Sequence, residues 1–228
     1  DIYDAFCNAK HFIYIVGWSV DTDQYLLRGQ ELLDSVSNGG LTSQIGPLLD
    51  AKANEGVVVN LMQWDDYSST FGFPGMMSTF DEKSRTYFST TKVNAVFVPM
   101  VGGETNNILQ GQGKKMAFTH HQKFIIVDSP TDDGEGRELL AFVGGIDLTK
   151  GRWDNRQHAL FTTLQGVHKG DAYGKCFKTN TAECGPRQPW HDIHSSVRGP
   201  EAIHLAIAFE ERWSKQADAG LLISRARL

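Results

Sequence analysis

The sequence has few cysteines, no excess of positive charge and no long apolar run. Its three cysteines, Cys7, Cys176 and Cys184, are an odd number without the spacing of a metal site. Cys176 and Cys184 could form a disulfide, but a reduced, cytosolic chain is the expected state. The 22 basic and 27 acidic residues give a net charge of −5, which argues against a general nucleic-acid-binding protein. No apolar run reaches the roughly 18 residues of a membrane-spanning helix.

The overall composition is that of a globular protein with a substantial core. Of the 228 residues, 40% are hydrophobic and 21% are charged, which excludes a disordered chain. Residues 1–228 are therefore expected to form one large domain or most of one. The chain begins at Asp1, directly in a helical pattern, which suggests a piece of a longer protein.

Apolar runs and helical patterns alternate along the chain, and this predicts an α/β fold in which helices flank a mixed central sheet. The apolar runs predict strands at 11–18, 57–63, 93–98, 124–127, 139–143 and 158–164. Periodic apolar residues predict helices at 2–10, 42–55, 80–90 and 200–216. The fourth and fifth strands would form a hairpin. Residues 21–40 are expected to form a loop, and the apolar residues of 68–77 either a substrate lip or a segment folded under a neighbour.

A polar cluster leads directly into the fourth predicted strand. His121 and Lys123 are two residues apart, so on a strand their side chains point the same way, about 7 Å apart. Together they could bind an anion such as a phosphate. Asp128 is at an odd offset from Lys123 and should face the other side, which favours a structural anchor over a reacting group.

Two glycines follow the fifth predicted strand. Gly144 and Gly145 lack a Cβ, so their backbone could approach a ligand closely. Beside His121 and Lys123, their N–H groups would add donors for a bound phosphate. The alternative is a tight turn at the end of the strand.

A nucleophilic imidazole needs a carboxylate on its other nitrogen, which fixes its tautomer and stabilises the cation formed on attack. Asp154 is the preferred candidate for this partner of His121, and Asp147 and Asp192 are alternatives. The run from Trp190 to His194 contains two histidines and a carboxylate, which could bind a metal or form a polar network at the edge of a helix or strand.

Several stretches resemble the first catalytic half of a plant-type phospholipase D of the phospholipase D superfamily. The spacing of His121, Lys123 and Asp128 matches the family signature His-x-Lys-x-x-x-x-Asp. Further matching stretches cover most of the chain in the family's order: 8–11 through 17–20, 64–66, 118–123, 142–148, 151–154, 185–187, 189–194, 209–210 and 212–213.

This resemblance implies an α/β/α sandwich lobe that hydrolyses phosphatidylcholine-like lipids to phosphatidic acid and a free alcohol through a phosphohistidine, or transfers the phosphatidyl group to another alcohol. It implies that His121 reacts, Lys123 holds phosphate, Asp128 supports the fold and Asp154 orients a histidine. It also implies calcium as a cofactor, a phospholipid substrate at a membrane surface, and a cytoplasmic, peripheral location.

The chain departs from the family pattern because it contains one signature where family enzymes carry two. The N-terminal lipid-binding domain of the family is not recognised either. A second motif-bearing lobe, from the same polypeptide or from a dimer mate, is therefore an expected partner, and the chain alone is expected to be inactive. The alternatives are a dimeric, nuclease-type phosphodiesterase and a non-catalytic lipid-binding lobe. The acidic net charge argues against the nuclease.

Overall fold

A computed structural model describes residues 1–66, 79–99, 119–171, 186–187 and 190–224. The expected lip at 68–77 and the possible pair Cys176–Cys184 lie outside these ranges. Cys7 is a free, half-buried thiol. Within the described ranges, none of the helices combines the length and the apolar character needed to cross a bilayer.

The described residues form one mixed sheet, as predicted, and it has six strands. They are β1 (Phe12–Gly17), β2 (Val58–Trp64), β3 (Asn94–Val98), β4 (Phe124–Pro130), β5 (Arg137–Gly144) and β6 (His194–Arg198). Their order across the sheet is β3-β2-β1-β4-β5-β6. The first three strands are parallel, whereas β4, β5 and β6 each run antiparallel to the strand before them in this order. The β4–β5 pair is the hairpin that the sequence predicts.

Helices cover both faces of the sheet. They are α1 (Ile2–Asn8), α2 (Gln30–Ser37), α3 (Ile45–Asn54), α4 (Asp81–Phe88) and α5 (Ile203–Gln216). Pro47 lies in the first turn of α3, where a backbone N–H would have no acceptor within the helix, so the missing N–H costs no hydrogen bond. A short 3₁₀ turn, Pro200–Ala202, leads into α5 and carries an acidic side chain near the helix's positive end.

Strand β1 is buried along its whole length because each of its faces belongs to a different core. Ile13 and Ile15 pack in the core that includes α1 and α3. Phe12 and Tyr14 point the opposite way, into the core formed with α5, where Tyr14 stacks on Phe209 at 4.4 Å between ring centroids. This alternation places the sheet between two helical layers and confirms the predicted sandwich.

Two sequence-based predictions were wrong, and one strand was missed. The expected loop at 21–40 contains α2, a helix without any buried residue. Its apolar residues Leu33 and Val36 are exposed, so the sequence has no apolar stripe facing the core that would have predicted this helix. Residues 158–164 form turns instead of a strand, and Phe161 is 60% exposed. The sixth strand is β6, which was not predicted because its residues are mostly polar and partly or fully exposed.

Candidate active site

The candidate site lies at one edge of the sheet, where the carboxyl ends of β1 and β5 meet the amino ends of β4 and β6. Antiparallel pairing sets Val16 opposite Phe124, and Phe124 opposite Val143. Gly144 is in turn opposite His194. The residues just beyond these strand ends therefore converge from separate parts of the sequence.

Lys123 is buried and held by a buried carboxylate. Its Nζ lies 3.0 Å from Asp147 Oδ2 and donates to the backbone carbonyl of His121 at 3.3 Å. The other oxygen of Asp147 accepts hydrogen bonds from the backbone N–H groups of Trp18 (2.8 Å) and Ser19 (3.2 Å). An ammonium group has three protons, and one of them is donated to the His121 carbonyl, so Nζ can still donate to a phosphate oxygen.

His121 is exposed and sits on an aromatic pair. Its ring centroid lies 5.6 Å from that of Trp18 in a T-shaped arrangement. Trp18 in turn stacks on Trp64, with 5.9 Å between the ring centroids. Partial burial lowers the pKa of His121 below its usual value, and repulsion by the Lys123 ammonium lowers it further, against an opposing effect of Asp147. These effects favour the neutral imidazole, which keeps the lone pair that a nucleophile needs.

Asp128 faces away from this site, and its contacts are structural. Its carboxylate accepts hydrogen bonds from the backbone N–H groups of Lys10, His11 and Phe12, at 2.8–3.2 Å. It also pairs with Arg137, whose Nε donates at 2.8 Å. Although burial raises the pKa of Asp128, the backbone hydrogen bonds and Arg137 bring it below its usual value. The carboxylate thus joins the start of β1 to the β4–β5 hairpin.

Gly144 and Gly145 do not offer their amides to a ligand, which corrects the prediction made for them. The N–H of Gly144 donates to the Lys123 carbonyl at 3.4 Å, and that of Gly145 to the Ile193 carbonyl at 3.1 Å. A Cβ on Gly144 would lie 2.3 Å from the Ile193 carbonyl oxygen, and one on Gly145 would lie 2.6 Å from Asp192 Oδ1. The missing side chains therefore admit the neighbouring chain at 192–194.

Asp154 contacts groups other than His121, so the expected pairing of its carboxylate with the His121 imidazole is corrected. Its Oδ2 lies 2.6 Å from His158 Nδ1, and its Oδ1 accepts a hydrogen bond from the fully buried Arg187. Although burial raises the pKa of Asp154, hydrogen bonds from His158 and Arg187 bring it below its usual value. The carboxylates that act on the charge of His121 are Asp147 and Asp192, the two alternatives.

The histidine-rich run 190–194 divides between two environments. His191 lies 3.6 Å from Asp154 through Nδ1, and its ring is 3.9 Å from that of His158. His194, in contrast, accepts a hydrogen bond at Nδ1 from the backbone N–H of Ile146 at 3.3 Å. The run is thus a polar network at the start of β6, in which one imidazole supports the loop that carries Asp147.

Asp154, His158 and His191 have ligand atoms within 4.8 Å of one another, as in a metal site. Two imidazoles and one carboxylate do not suit the calcium that the resemblance implies, because calcium takes six to eight oxygen ligands. We therefore assign this cluster no role in calcium binding.

A cavity of about 840 Å³ adjoins the site. Its lining includes Asp147, Arg152, Asp154 and His194, so it lies alongside both carboxylates discussed above. Arg152 also packs its guanidinium 4.0 Å from the ring centroid of Trp190. His121 and Lys123 do not line this cavity, so the open space lies beside the imidazole and the buried ammonium and is connected to them through Asp147.

Sequence reasoning missed Trp18 and the pairing of Asp147 with Lys123. Trp18 follows β1 and Asp147 follows β5 at the same edge of the sheet. Their closeness to His121 and Lys123 depends on the strand order, which the sequence pattern does not reveal. A tryptophan directly after a buried strand, at Gly17-Trp18, was the available signal.

A mixed sheet whose edge presents a paired lysine and a histidine defines a candidate phosphate-handling site. The sequence profile described as phospholipase D matches residues 5–227. The chain is 42% identical to phospholipase D alpha 1 of Nicotiana tabacum over 98% of its length and 42% identical to phospholipase D alpha 3 of Arabidopsis thaliana over all of it. The chain belongs to the phospholipase D family.

The chain spans only 28% of the length of each of these two relatives. Phospholipase D alpha 1 of Oryza sativa gives the same picture, with 41% identity over 98% of this chain and 28% of the relative. A structural comparison with NucT from Helicobacter pylori gives a TM-score of 0.37 and 14% identity, covering 68% of this chain and 69% of NucT.

Proposed function

We propose that this chain supplies one half of the active site of a phospholipase D, a phosphodiesterase that hydrolyses glycerophospholipids such as phosphatidylcholine. The observation that carries the proposal is the joint placement of His121 and Lys123 against Trp18 at the sheet edge. A neutral imidazole can attack phosphorus, and a buried ammonium can stabilise the charge on the phosphate oxygens. Family membership supports this class of reaction.

The proposed reaction has two displacement steps. In the first, an imidazole nitrogen of His121 bonds to phosphorus and the bond from phosphorus to the headgroup oxygen breaks. The headgroup leaves as an alcohol after taking a proton from a general acid, which a second motif-bearing lobe, from the same polypeptide or from a dimer mate, would supply. In the second, water gives a proton to the base left by that general acid and attacks phosphorus, the phosphorus–nitrogen bond breaks, and phosphatidic acid leaves with His121 restored. A primary alcohol in place of water gives a transphosphatidylation product.

In this proposal Asp147 fixes Lys123 before the substrate arrives. A phosphate oxygen would accept a hydrogen bond from a remaining ammonium proton, so Lys123 need not leave its buried partner. Such a group is already positioned and costs little reorganisation during the reaction. Membrane-surface substrate and calcium dependence belong to the proposal for the complete protein, and no step above uses calcium.

Trapping the intermediate tests the proposal. The full natural chain is mixed with phosphatidylcholine labelled at phosphorus, quenched and separated from free lipid, and the label should be found on His121. His121→Ala should remove this label and lower choline release by several orders of magnitude, because the nucleophile is lost. His204→Ala, at an exposed histidine on α5, is the matched control and should behave as the wild type.

Undiminished labelling of the His121→Ala protein would contradict the role given to His121. Labelling of the wild type by an oligonucleotide phosphodiester, without labelling by lipid, would instead favour the nuclease-type alternative. Lipid binding without label or choline release would favour the non-catalytic alternative.

A further inference from the structure

Three large apolar side chains beside the candidate site are exposed. Phe161, Trp190 and Ile193 have exposed fractions of 60%, 43% and 87%, and we call this group the apolar rim. Scattered apolar residues are common on protein surfaces, whereas several at one place mark an interaction surface. The proposed reaction uses none of the three, so the chemistry does not explain their exposure.

The turn that carries Phe161 lies against the segment 190–193. In that segment, the ring centroid of His191 lies 3.9 Å from that of His158, which precedes Phe161 by three residues. The backbone carbonyl directly before Phe161 also accepts a hydrogen bond from the N–H of Arg187, at 2.7 Å. The members of the apolar rim therefore come from two neighbouring parts of one surface.

The apolar rim borders the sheet edge that carries the candidate site. The backbone carbonyl of Ile193 accepts a hydrogen bond from the Gly145 N–H at 3.1 Å, and β6 begins at the next residue. Gly145 lies two residues before Asp147, which pairs with Lys123. A lipid held against the rim would therefore have its phosphate near the proposed phosphate contact.

Positive charge accompanies the apolar rim, although the chain as a whole is acidic. The stretch 150–156 has three basic residues and one acidic residue, whereas the net charge of the chain is −5. Arg152 in this stretch packs its guanidinium 4.0 Å from the ring centroid of Trp190, and the other two basic residues are exposed. Asp192 adds one acidic charge to the rim's own segment, so a small positive excess remains.

We propose that the apolar rim inserts into the surface of a phospholipid membrane and so brings the candidate site to its substrate. This role rests on the proposed function, in which the substrate is a glycerophospholipid. Aromatic side chains favour the membrane–water interface, and neighbouring Lys and Arg side chains can contact lipid phosphates. An apolar group flanked by cations matches the order of a lipid layer, in which acyl chains lie beneath the phosphates.

A protein partner fits the apolar rim less well than a membrane does. Stable protein interfaces take roughly 20–30 residues from each side. Three apolar side chains are few for the core of such an interface. Binding to a lipid surface, in contrast, gains from each apolar side chain that leaves water and from each basic residue near the phosphates.

Vesicle binding by the full natural chain tests this role. The double variant Phe161→Ser/Ile193→Ser removes two exposed apolar side chains, so the core is untouched. On vesicles of phosphatidylcholine mixed with phosphatidic acid, sedimentation should show binding weaker by about tenfold or more, because this apolar area no longer leaves water. The matched control is Leu33→Ser/Val36→Ser, which removes two exposed apolar side chains from α2 and should bind as the wild type does.

Choline release from a dispersed, short-chain phosphatidylcholine separates membrane contact from catalysis. This soluble substrate needs no membrane, so Phe161→Ser/Ile193→Ser should keep the wild-type kcat/KM on it and lose about tenfold or more on vesicles. Equal vesicle binding by this variant and the wild type, or an equal loss of binding in the α2 control, would overturn the proposal.

Equal losses of kcat/KM on soluble and vesicle substrates would also overturn it and would indicate that the apolar rim contacts another part of the protein. Vesicle binding that depends on the rim, in a wild type that releases no choline from either substrate, would refute the proposed function and support the membrane contact. The two proposals can therefore fail separately.

Discussion

At the scale of single residues, the candidate site depends on a buried ion pair. Lys123 and Asp147 have side chains that are 7% and 1% exposed, and a buried charge is tolerated only with a partner. His121, next to this pair, is exposed, and its pKa, lowered by partial burial, is lowered further by Lys123 and raised by Asp147. Substitutions at Lys123 should therefore change the chemistry of His121 as well as the binding of phosphate.

Lys123→Met in the full natural chain should affect both rate and pH dependence. We expect kcat/KM to fall by about 10²–10³-fold, the loss typical of removing one transition-state charge contact. Without the ammonium, the pKa of His121 should rise, since a lowering influence is gone and Asp147 is left unpaired. The acid limb of kcat/KM, below which the imidazole is protonated and cannot attack, should therefore move to higher pH.

A pH–rate profile of the wild type, Lys123→Met and Lys150→Met measures this shift. Lys150 is an exposed lysine three residues after Asp147, and its variant should keep both the rate and the acid limb. An acid limb that stays in place or moves to lower pH in Lys123→Met would show that Lys123 does not set the charge of His121.

Residue patterns in the sequence predicted the direction of the Asp128 side chain but missed the carboxylate that pairs with Lys123. Alternation along β4 correctly set Asp128 on the opposite face from Lys123, because side-chain direction in a strand is a local property. The partner of Lys123 could not be chosen in the same way. Asp147 lies 24 residues later and reaches Lys123 only through the pairing of β4 with β5.

At the scale of secondary-structure elements, the contact between β5 and β6 positions the segment that contains Asp192. The two glycines at the end of β5 allow the chain before β6 to approach closely. The sequence indicated a close approach at this point, but the approaching group is a backbone segment and not a ligand. A strand as polar as β6 carries too weak a hydrophobic pattern for this neighbour to be predicted.

Gly144→Ala should destabilise the protein by about 1–3 kcal/mol, the usual cost of overpacking a tight contact. The new Cβ would lie 2.3 Å from the Ile193 carbonyl oxygen and 2.7 Å from His194 Cα, both backbone atoms that cannot move without shifting β6. Urea unfolding measures the change. Gly136→Ala is the matched control, because its nearest neighbours are side-chain atoms of Thr131 at 3.5 Å. Equal unfolding midpoints for the two variants would contradict the steric role of Gly144.

Asp128→Asn should loosen the connection between the start of β1 and the β4–β5 hairpin. We expect a loss of roughly 2–3 kcal/mol at neutral pH, the range for hydrogen bonds to a charged group. The folded pKa of Asp128 is below the unfolded value of about 3.9, so its stabilising effect is present above that value and is lost as the pH falls through the folded pKa.

Urea unfolding of Asp128→Asn at several pH values checks both the size and the sign of this effect. The difference from the wild type should be largest near neutrality and shrink below about pH 4. Asp132→Asn, in the hairpin loop with a side chain 95% exposed, should match the wild type throughout. A difference that grows on acidification would contradict the anchoring role of Asp128.

At the scale of the whole molecule, the candidate site lies at one edge of the sheet, between the two helical layers of the sandwich. Hydrophobic periodicity predicted the layers because both faces of the sheet are buried in separate cores. It did not predict the turns at 158–164, where the Leu164 N–H donates to the Phe161 carbonyl and the Leu160 carbonyl accepts from the Arg187 N–H. A preceding turn, in which the His158 N–H donates to the Asn155 carbonyl, brings His158 to Asp154.

The 228-residue chain, tested by itself as a monomer, should not release choline from phosphatidylcholine vesicles at the rate of the full natural chain. His121 and Lys123 offer a nucleophile and a charge contact, but the leaving alcohol needs a general acid, whose loss alone costs about 10²–10⁴-fold. Size-exclusion chromatography with an activity assay of each fraction measures this directly. Activity confined to a dimer fraction would indicate that a second copy supplies the acid. Full turnover by the monomer, abolished by His121→Ala, would show that this chain contains a complete active site and that the half-site proposal is wrong.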